Sequence, residues 1–177
     1  VAEGHLAGEH ARERLAERVE VANRADGAGG DGLLGGHEGR GAEDHSGLGD
    51  RVHVAVEALN RHIAGPRLER VRLLSPFVLR SVDPPIDSIS GQTIRAIRRL
   101  GKRIVLAFDD DLFLVIHLMI AGRLRWREPG KKPAMGPKML LAAFAFARGT
   151  LFLTEASSKK RASIQLVRGE PALAALD

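Results

Sequence analysis

Apolar residues recur at helical spacing in one stretch of the chain and in short strand-like runs after it. Val52, Val56, Leu59 and Ile63 fall at i, i+4, i+7 and i+11, which places them on one face of a helix. Gly65 and the proline after it supply a helix stop. We therefore predict a helix that leads a β-rich region, whose runs span residues 67–74, 92–100, 103–108, 112–117, 123–127, 139–147, 150–154 and 162–167.

These short runs favour a mainly β fold class, an antiparallel β-sandwich of about eight strands with one leading helix, over an alternating α/β sheet. Arg123, Arg125 and Arg127 alternate with Leu124 and Trp126, so the cations should share one face of a strand and the apolar pair the other. That cationic face could track phosphates, or it could simply be solvated.

Three consecutive aspartates at 109–111 separate two of the predicted strands. Aspartate is a common turn residue, so we predict a tight acidic turn there. The three carboxylates could also chelate a divalent ion, but a solvated hairpin tip is the favoured interpretation.

Residues 1–50 have a different composition from the rest. They contain 12 of the 20 glycines and no Pro, Ile, Phe, Trp, Lys, Met, Thr or Gln, a bias that does not specify a packed core. We predict a disordered or weakly helical tail at 1–50, for which a mis-translated segment is one reading, and a folded domain at 51–177. His5, His10, His37 and His45 lack close ligand spacing, so we predict no metal site among them.

Charge divides the chain at the same place. Residues 1–50 carry 5 Arg against 11 acids, a net −6, whereas residues 51–177 carry 22 Lys plus Arg against 11 acids, a net +11. The basic part suggests an anionic partner, nucleic acid first. The absence of cysteine excludes disulfides and thiolate zinc sites within this chain. The longest apolar stretches fall short of the ~20 residues of a membrane-spanning helix, and no signal peptide is visible.

Several motifs occur in a fixed order: Val56-Glu57, Gly65, Arg-Leu-Gly-Lys-Arg-Ile-Val-Leu at 99–106 and His-Leu-Met-Ile-Ala-Gly-Arg-Leu at 117–124. In order and spacing they resemble the N-terminal domain of the formamidopyrimidine-DNA glycosylase and endonuclease VIII family. The resemblance implies base-excision repair by a DNA N-glycosylase/AP lyase that removes oxidised bases. It also implies a monomer in the bacterial cytoplasm whose partner is damaged double-stranded DNA, with no membrane partner. No cofactor is expected in this chain, since the family's zinc belongs to its C-terminal finger.

The resemblance also assigns roles to residues. Lys102, in the Gly-Lys turn, corresponds to a catalytic lysine that contacts phosphate and assists proton transfer; a solvated turn lysine is the alternative. Met119 and Ile120 fall in the loop that wedges into the duplex in the family, although both could be core residues. The remaining DNA-binding candidates are all cationic: Arg123, Arg125, Lys138, Lys159, Lys160 and Arg161.

The chain departs from the family's pattern in three places. The family's nucleophile is an N-terminal proline followed by glutamate, but no proline precedes Pro66, so we expect this chain to be inactive or nearly so. Lys159-Lys160-Arg161 stands where many members have Asp-Pro-Arg-Arg-Phe-Gly, which puts reading of the opposite strand in doubt. The family's helix–two-turn–helix unit and zinc finger would follow Asp177 and are absent from this sequence.

Two other functions compete with the enzymatic one. The first is a non-catalytic β-domain that binds the DNA backbone through its basic strand face. The second is an RNA-binding β-domain, which ranks lowest because the sequence offers no aromatic platform for stacked bases.

Overall fold

The computed structural model describes residues 46–62, 65–133 and 135–177, with side chains at 51–60, 65–133 and 135–177. The predicted tail and its four histidines lie outside the described residues, except that residues 46–50 form the beginning of the first helix. That helix, α1, spans Ser46–His62, so it begins upstream of the predicted apolar face. No helix in the described ranges is long and apolar enough to cross a membrane.

Eight strands follow α1, which confirms the predicted fold class. They are β1 (Leu68–Leu73), β2 (Ala96–Leu100), β3 (Arg103–Ala107), β4 (Leu112–His117), β5 (Gly122–Arg127), β6 (Leu140–Phe146), β7 (Gly149–Glu155) and β8 (Ser163–Arg168). A short helix, α2 (Glu170–Ala174), ends the chain, and two 3₁₀ turns lie at Ile86–Ile89 and Pro137–Met139.

The strands form two antiparallel sheets of four. The first has the order β1-β6-β7-β5 and the second β2-β3-β4-β8. Residues 78–81 run parallel to β8 and cover its free edge: the amide of Ile164 donates to the carbonyl of Val78 at 2.8 Å, and that of Arg80 donates to the carbonyl of Ile164 at 2.9 Å. Such covering blocks edge-to-edge pairing with other chains.

One predicted strand is shorter than its apolar run. The run at 92–100 yields a strand only from Ala96, because the residues before it bond to the segment that follows α1. The amide of Gly65 donates to Ile94, that of Leu68 donates to Gln92, and that of Ile94 donates to Pro66. Residues 92–94 therefore close the helix-to-strand connection instead of extending β2.

The main core lies between the sheets and under α1. Val52, Val56 and Leu59 are buried as the helical pattern predicts, and the Asn60 amide donates to the carbonyl of Ile97 at 2.6 Å. The outer face of the second sheet is also covered, by Leu173 of α2 packed over Val105, Phe113 and Val115. This explains why β4 is a continuous apolar run, since both its faces are buried.

The acidic turn at 109–111 joins β3 to β4, as predicted. Asp110 and Asp111 adopt left-handed backbone angles, with φ of 57° and 54°. Arg95 forms a bidentate ion pair with Asp109, in which Nε donates to Oδ1 at 2.7 Å and Nη2 donates to Oδ2 at 3.0 Å. This hydrogen bonding lowers the pKa of Asp109. Within the described residues no three metal-ligating side chains converge.

Candidate nucleic-acid interface

Three chain segments cross between the two sheets at the same end of the sandwich. Residues 118–121 join β4 to β5, residues 156–162 join β7 to β8, and residues 74–77 join β1 to the segment beside β8. Strand register fixes this common end: His117 pairs with Ser163, Gly122 with Glu155, Leu140 with Thr154 and Arg103 with His117. The β2–β3 turn at 101–102 therefore lies there too. We call residues 74–77, 101–102, 118–121, 137–139 and 156–162 the loop edge.

The 118–121 loop presents one apolar side chain to solvent. Ile120 is 72% exposed, whereas Leu118 is buried and Met119 is half-buried. The alternative that Ile120 is a core residue is therefore wrong. Met119 has a left-handed backbone, with φ of 54°, which costs a residue other than glycine about 1 kcal/mol. The wedge role of the two residues stays a prediction.

Two guanidinium groups hold this loop in place through hydrogen bonds to backbone carbonyls. Arg123 Nη1 donates to the carbonyls of Ile120 at 2.9 Å and Gly122 at 2.8 Å. Arg51, on α1, donates through Nη1 to the same Ile120 carbonyl at 3.2 Å. Arg123 thus supports the loop in addition to its predicted DNA contact, and sequence reasoning missed Arg51 because its partner is 69 residues away.

Gly122 closes the loop by a close approach. Its amide donates to the carbonyl of Leu118 at 2.9 Å. A Cβ at this position would lie 2.2 Å from the Leu118 carbonyl oxygen and 2.9 Å from Ala162 Cβ. Only glycine fits between the 118–121 loop and the start of β8.

A buried carboxylate organises the 156–162 loop. Glu155 is 2% exposed, and its Oε2 accepts the backbone N–H groups of Arg161 at 2.8 Å and Ala162 at 3.0 Å. Lys160 Nζ donates to the carbonyls of Glu155 at 2.5 Å and Ser157 at 2.7 Å. The only sequence signal for Glu155 is an acid at the end of an apolar strand.

This geometry divides the predicted cationic cluster. Lys159 and Arg161 have exposed side chains. Lys160 directs its ammonium to two backbone carbonyls, so two of its three donors hold the loop together. Its predicted DNA contact stays a prediction, with only the third donor left for a phosphate.

Lys102 lies in a tight turn next to a histidine. Gly101 has φ of 54°, which glycine adopts without steric cost, and Lys102 is half-buried. The pKa of His117 is lowered from its ordinary 6.5, first by burial and then by the positive charges of Arg103 and Lys102. The Lys102 ammonium is therefore close enough to His117 to influence its protonation. The catalytic role of Lys102 stays a prediction.

The arginine stripe is present on β5. Leu124 and Trp126 are buried, while Arg123, Arg125 and Arg127 are half-buried on the opposite face, which confirms the predicted alternation. The strand forms one border of the first sheet, so the stripe extends from the loop edge along the length of the sandwich. Its contact with phosphates stays a prediction.

Lys138 also lies at the loop edge. It is exposed in the 3₁₀ turn Pro137–Met139, directly before Leu140 of β6, which pairs with Thr154. The acidic groups that the structure places here are Glu155, which is buried, and Asp177, whose Oδ1 would lie 2.9 Å from a Cβ at Gly101. Cations therefore dominate the exposed surface of this end.

Sequence reasoning missed one exposed aromatic residue. Phe77, in the 74–77 segment, is 73% exposed. The sequence predicts no aromatic platform, and Phe77 supplies one exposed ring. A single ring is still less than the multi-residue platform of an RNA-binding sheet. An isolated phenylalanine in a loop gives no periodic signal.

Fold and site together define a two-sheet β-domain with a leading helix and a basic, apolar-tipped edge. Residues 50–159 match the family described as the formamidopyrimidine-DNA glycosylase N-terminal domain. The chain belongs to this family, as its motifs at 99–106 and 117–124 suggest.

Two relatives show the extent of the similarity. The chain is 31% identical over 123 residues to the formamidopyrimidine-DNA glycosylase of Sphingopyxis alaskensis, covering 68% of this chain and 43% of that protein. It is 33% identical over 82 residues to that of Corynebacterium jeikeium, covering 45% and 28%. The chain thus spans less than half the length of these relatives.

Solved structures share the fold. A formamidopyrimidine-DNA glycosylase of Lactococcus lactis bound non-covalently to DNA containing an AP site matches with a TM-score of 0.61 at 21% identity, over 69% of this chain and 45% of that chain. The same enzyme with DNA containing FAPY-dG matches with a TM-score of 0.63 at 21% identity, over 71% and 46%.

Proposed function

We propose that this chain is the β-sandwich domain of a DNA glycosylase of base-excision repair, and that its loop edge contacts damaged double-stranded DNA. The observation that carries the proposal is the convergence of three inter-sheet loops and the Lys102 turn at one end. The exposed Ile120 lies at the same end as the exposed cations Lys138, Lys159 and Arg161. The family relatives whose structures contain lesion DNA support the same partner.

Each part of the loop edge suits one task in lesion recognition. Lys138, Lys159 and Arg161 are exposed cations that can neutralise phosphates and so position the duplex. Ile120 can fill the space that a base leaves when it is extruded, which offsets part of the few kcal/mol of lost stacking. In this proposal Lys102, beside the neutral His117, binds the phosphate of the lesion nucleotide and assists proton transfer.

The finer activity is base removal followed by strand cleavage. An N-terminal secondary amine forms an iminium with the sugar, and this iminium serves as an electron sink for the elimination. No proline precedes Pro66 in this sequence, so we propose that the 177-residue chain binds lesion DNA without forming that covalent intermediate.

Borohydride trapping, paired with a binding assay, tests this proposal. The chain is incubated with a duplex that contains one abasic site, with and without borohydride, alongside an established AP lyase as positive control. We expect binding by fluorescence anisotropy that is tighter for the abasic duplex than for the undamaged one, and no covalent product. Efficient trapping would refute the inactivity of the chain, and absence of binding at low salt would refute the DNA partner.

The stripe on β5 favours a second candidate, a β-domain that binds the DNA backbone without chemistry. Arg125 and Arg127 continue the positive face away from the loop edge. Equal affinity for abasic and undamaged duplexes, with strong salt dependence, would favour this function over lesion recognition.

A further inference from the structure

We propose that Phe77 stacks on an unpaired nucleobase of bound DNA and so forms a second base contact beside Ile120. The inference rests on the proposed function, because it requires DNA at the loop edge. Phe77 is 73% exposed, although a phenylalanine side chain normally gains free energy from burial. An exposed ring on a fixed backbone segment is therefore a candidate binding group.

The backbone around Phe77 is fixed. Residues 75–78 form a turn in which the amide of Val78 donates to the carbonyl of Ser75 at 3.4 Å, with Pro76 at the second position, where its ring favours the required backbone angle. The turn thus places Phe77 at its tip.

Both sides of this turn are anchored, one to each sheet. The amides of Leu74 and Ser75 donate to the carbonyl of Leu141 in the first sheet, at 2.9 and 3.0 Å. After the turn, the amide of Ile164 in the second sheet donates to the carbonyl of Val78 at 2.8 Å, and Val78 itself is buried. The backbone of such a turn loses little conformational entropy on binding, because it is already fixed.

The position of the turn places Phe77 beside the cationic loop. Residues 78–81 run parallel to β8, with Leu79 opposite Ile164. Phe77 therefore lies level with the residues that precede Ile164, at the end of the 156–162 loop that carries Lys159 and Arg161. The ionisable side chains within residues 72–80 are Arg72 and Arg80, and both are exposed.

This combination of groups favours a nucleobase as the occupant. Phosphates can pair with the surrounding cations, while a flat ring offers a surface for a base. Stacking on an aromatic side chain does not depend on base identity, and a base next to an abasic site has lost one stacking neighbour. An apolar protein partner fits less well, because it would desolvate the arginines on both sides of the turn.

Affinity for an abasic duplex tests the contact directly. We expect F77A to weaken binding about tenfold, the change that ~1.4 kcal/mol of base–aromatic stacking produces, and F77Y to retain the affinity. The matched control is V82A, which shortens an apolar side chain that is 92% exposed in the same connection. Urea unfolding of F77A verifies that the fold is intact.

Tryptophan emission gives a second readout. The chain's one tryptophan, Trp126, is buried and gives a background emission, to which F77W adds an exposed indole. We expect abasic DNA to quench the emission of F77W and not that of V82W.

The outcomes separate the two proposals. If the unmodified chain fails to bind DNA at low salt, the proposed function falls, and this inference with it. A different outcome is that the chain binds DNA and the K159Q/R161Q double variant weakens that binding. If F77A then binds normally, or the emission of F77W is not quenched, only the stacking role of Phe77 is overturned.

Discussion

His117 lies on β4 opposite Arg103 and within electrostatic reach of Lys102. Because burial and both cations disfavour the imidazolium, the folded protein holds this ring neutral at pH values where the unfolded chain begins to bind a proton. The unfolded state therefore binds more protons below about pH 6.5. The share of the free energy of unfolding that comes from keeping His117 neutral is present in full above about pH 6.5. It decreases as the pH falls toward the lowered pKa of His117 in the folded state.

A pH titration of His117 by NMR checks this arrangement. We expect a midpoint below the ordinary 6.5, and a higher midpoint in R103Q that is still below 6.5, because burial is the larger cause. The spectrum of H117Q assigns the signal. A midpoint at or above 6.5 in the unmodified protein would show that the ring is not buried against the two cations.

At the scale of elements, most of the fold follows from the sequence pattern. Each of the eight predicted runs overlaps a strand, and the face of α1 formed by Val52, Val56 and Leu59 is buried, because both features depend on local periodicity. The cationic alternation on β5 also follows directly.

The loop anchors could not be predicted from the pattern. The contacts of Arg51 with Ile120, of Glu155 with the Arg161 amide and of Val78 with Ile164 join residues on different elements, and no local period records them. The pattern also predicts a strand at residues 92–94, whose hydrogen bonds go instead to residues 65–68, because no local period records that long-range pairing. Motif resemblance located Lys102 and Ile120, but the sequence alone did not show which of Met119 and Ile120 is exposed.

Substitution of Gly122 tests whether the close approach holds the 118–121 loop. We expect G122A to lower the free energy of unfolding by about 1–3 kcal/mol, because the added methyl group overlaps the Leu118 carbonyl and the start of β8. It should also weaken binding to abasic DNA by displacing Ile120.

The matched control is G136A. Gly136 has ordinary backbone angles, and nothing lies within 4 Å of a Cβ placed there. Urea unfolding of both variants provides the comparison. Equal stabilities would show that the loop can move away from Gly122 at little cost.

At the scale of the whole molecule, charge is distributed unevenly relative to the fold. Both ends of the sandwich carry basic residues, but at the opposite end Arg95 is paired with Asp109, Lys131 with Glu128, and Arg98 on β2 with Glu170 of α2. At the loop edge Glu155 is buried and bonded to backbone amides, so it does not face an incoming phosphate, which leaves Asp177, next to Gly101, as the exposed carboxylate described there. We therefore expect DNA to bind one end of the sandwich in preference to the other. The net charge of residues 51–177 alone does not predict such a preference.

The most direct measurement compares two double variants that remove the same charge from opposite ends. K159Q/R161Q alters the loop edge, and R148Q/R168Q alters the other end, where Arg148 precedes Gly149 and Arg168 pairs with Leu112. Binding to an abasic duplex is followed by fluorescence anisotropy over a range of salt concentrations. We expect K159Q/R161Q to weaken binding at least ~10-fold and to reduce the slope of log K against log salt by about 1.8, or ~0.9 for each lost phosphate contact. The R148Q/R168Q variant should bind as the unmodified chain does; equal losses in both variants, or none in K159Q/R161Q, would contradict the assignment of the loop edge as the DNA-contacting surface.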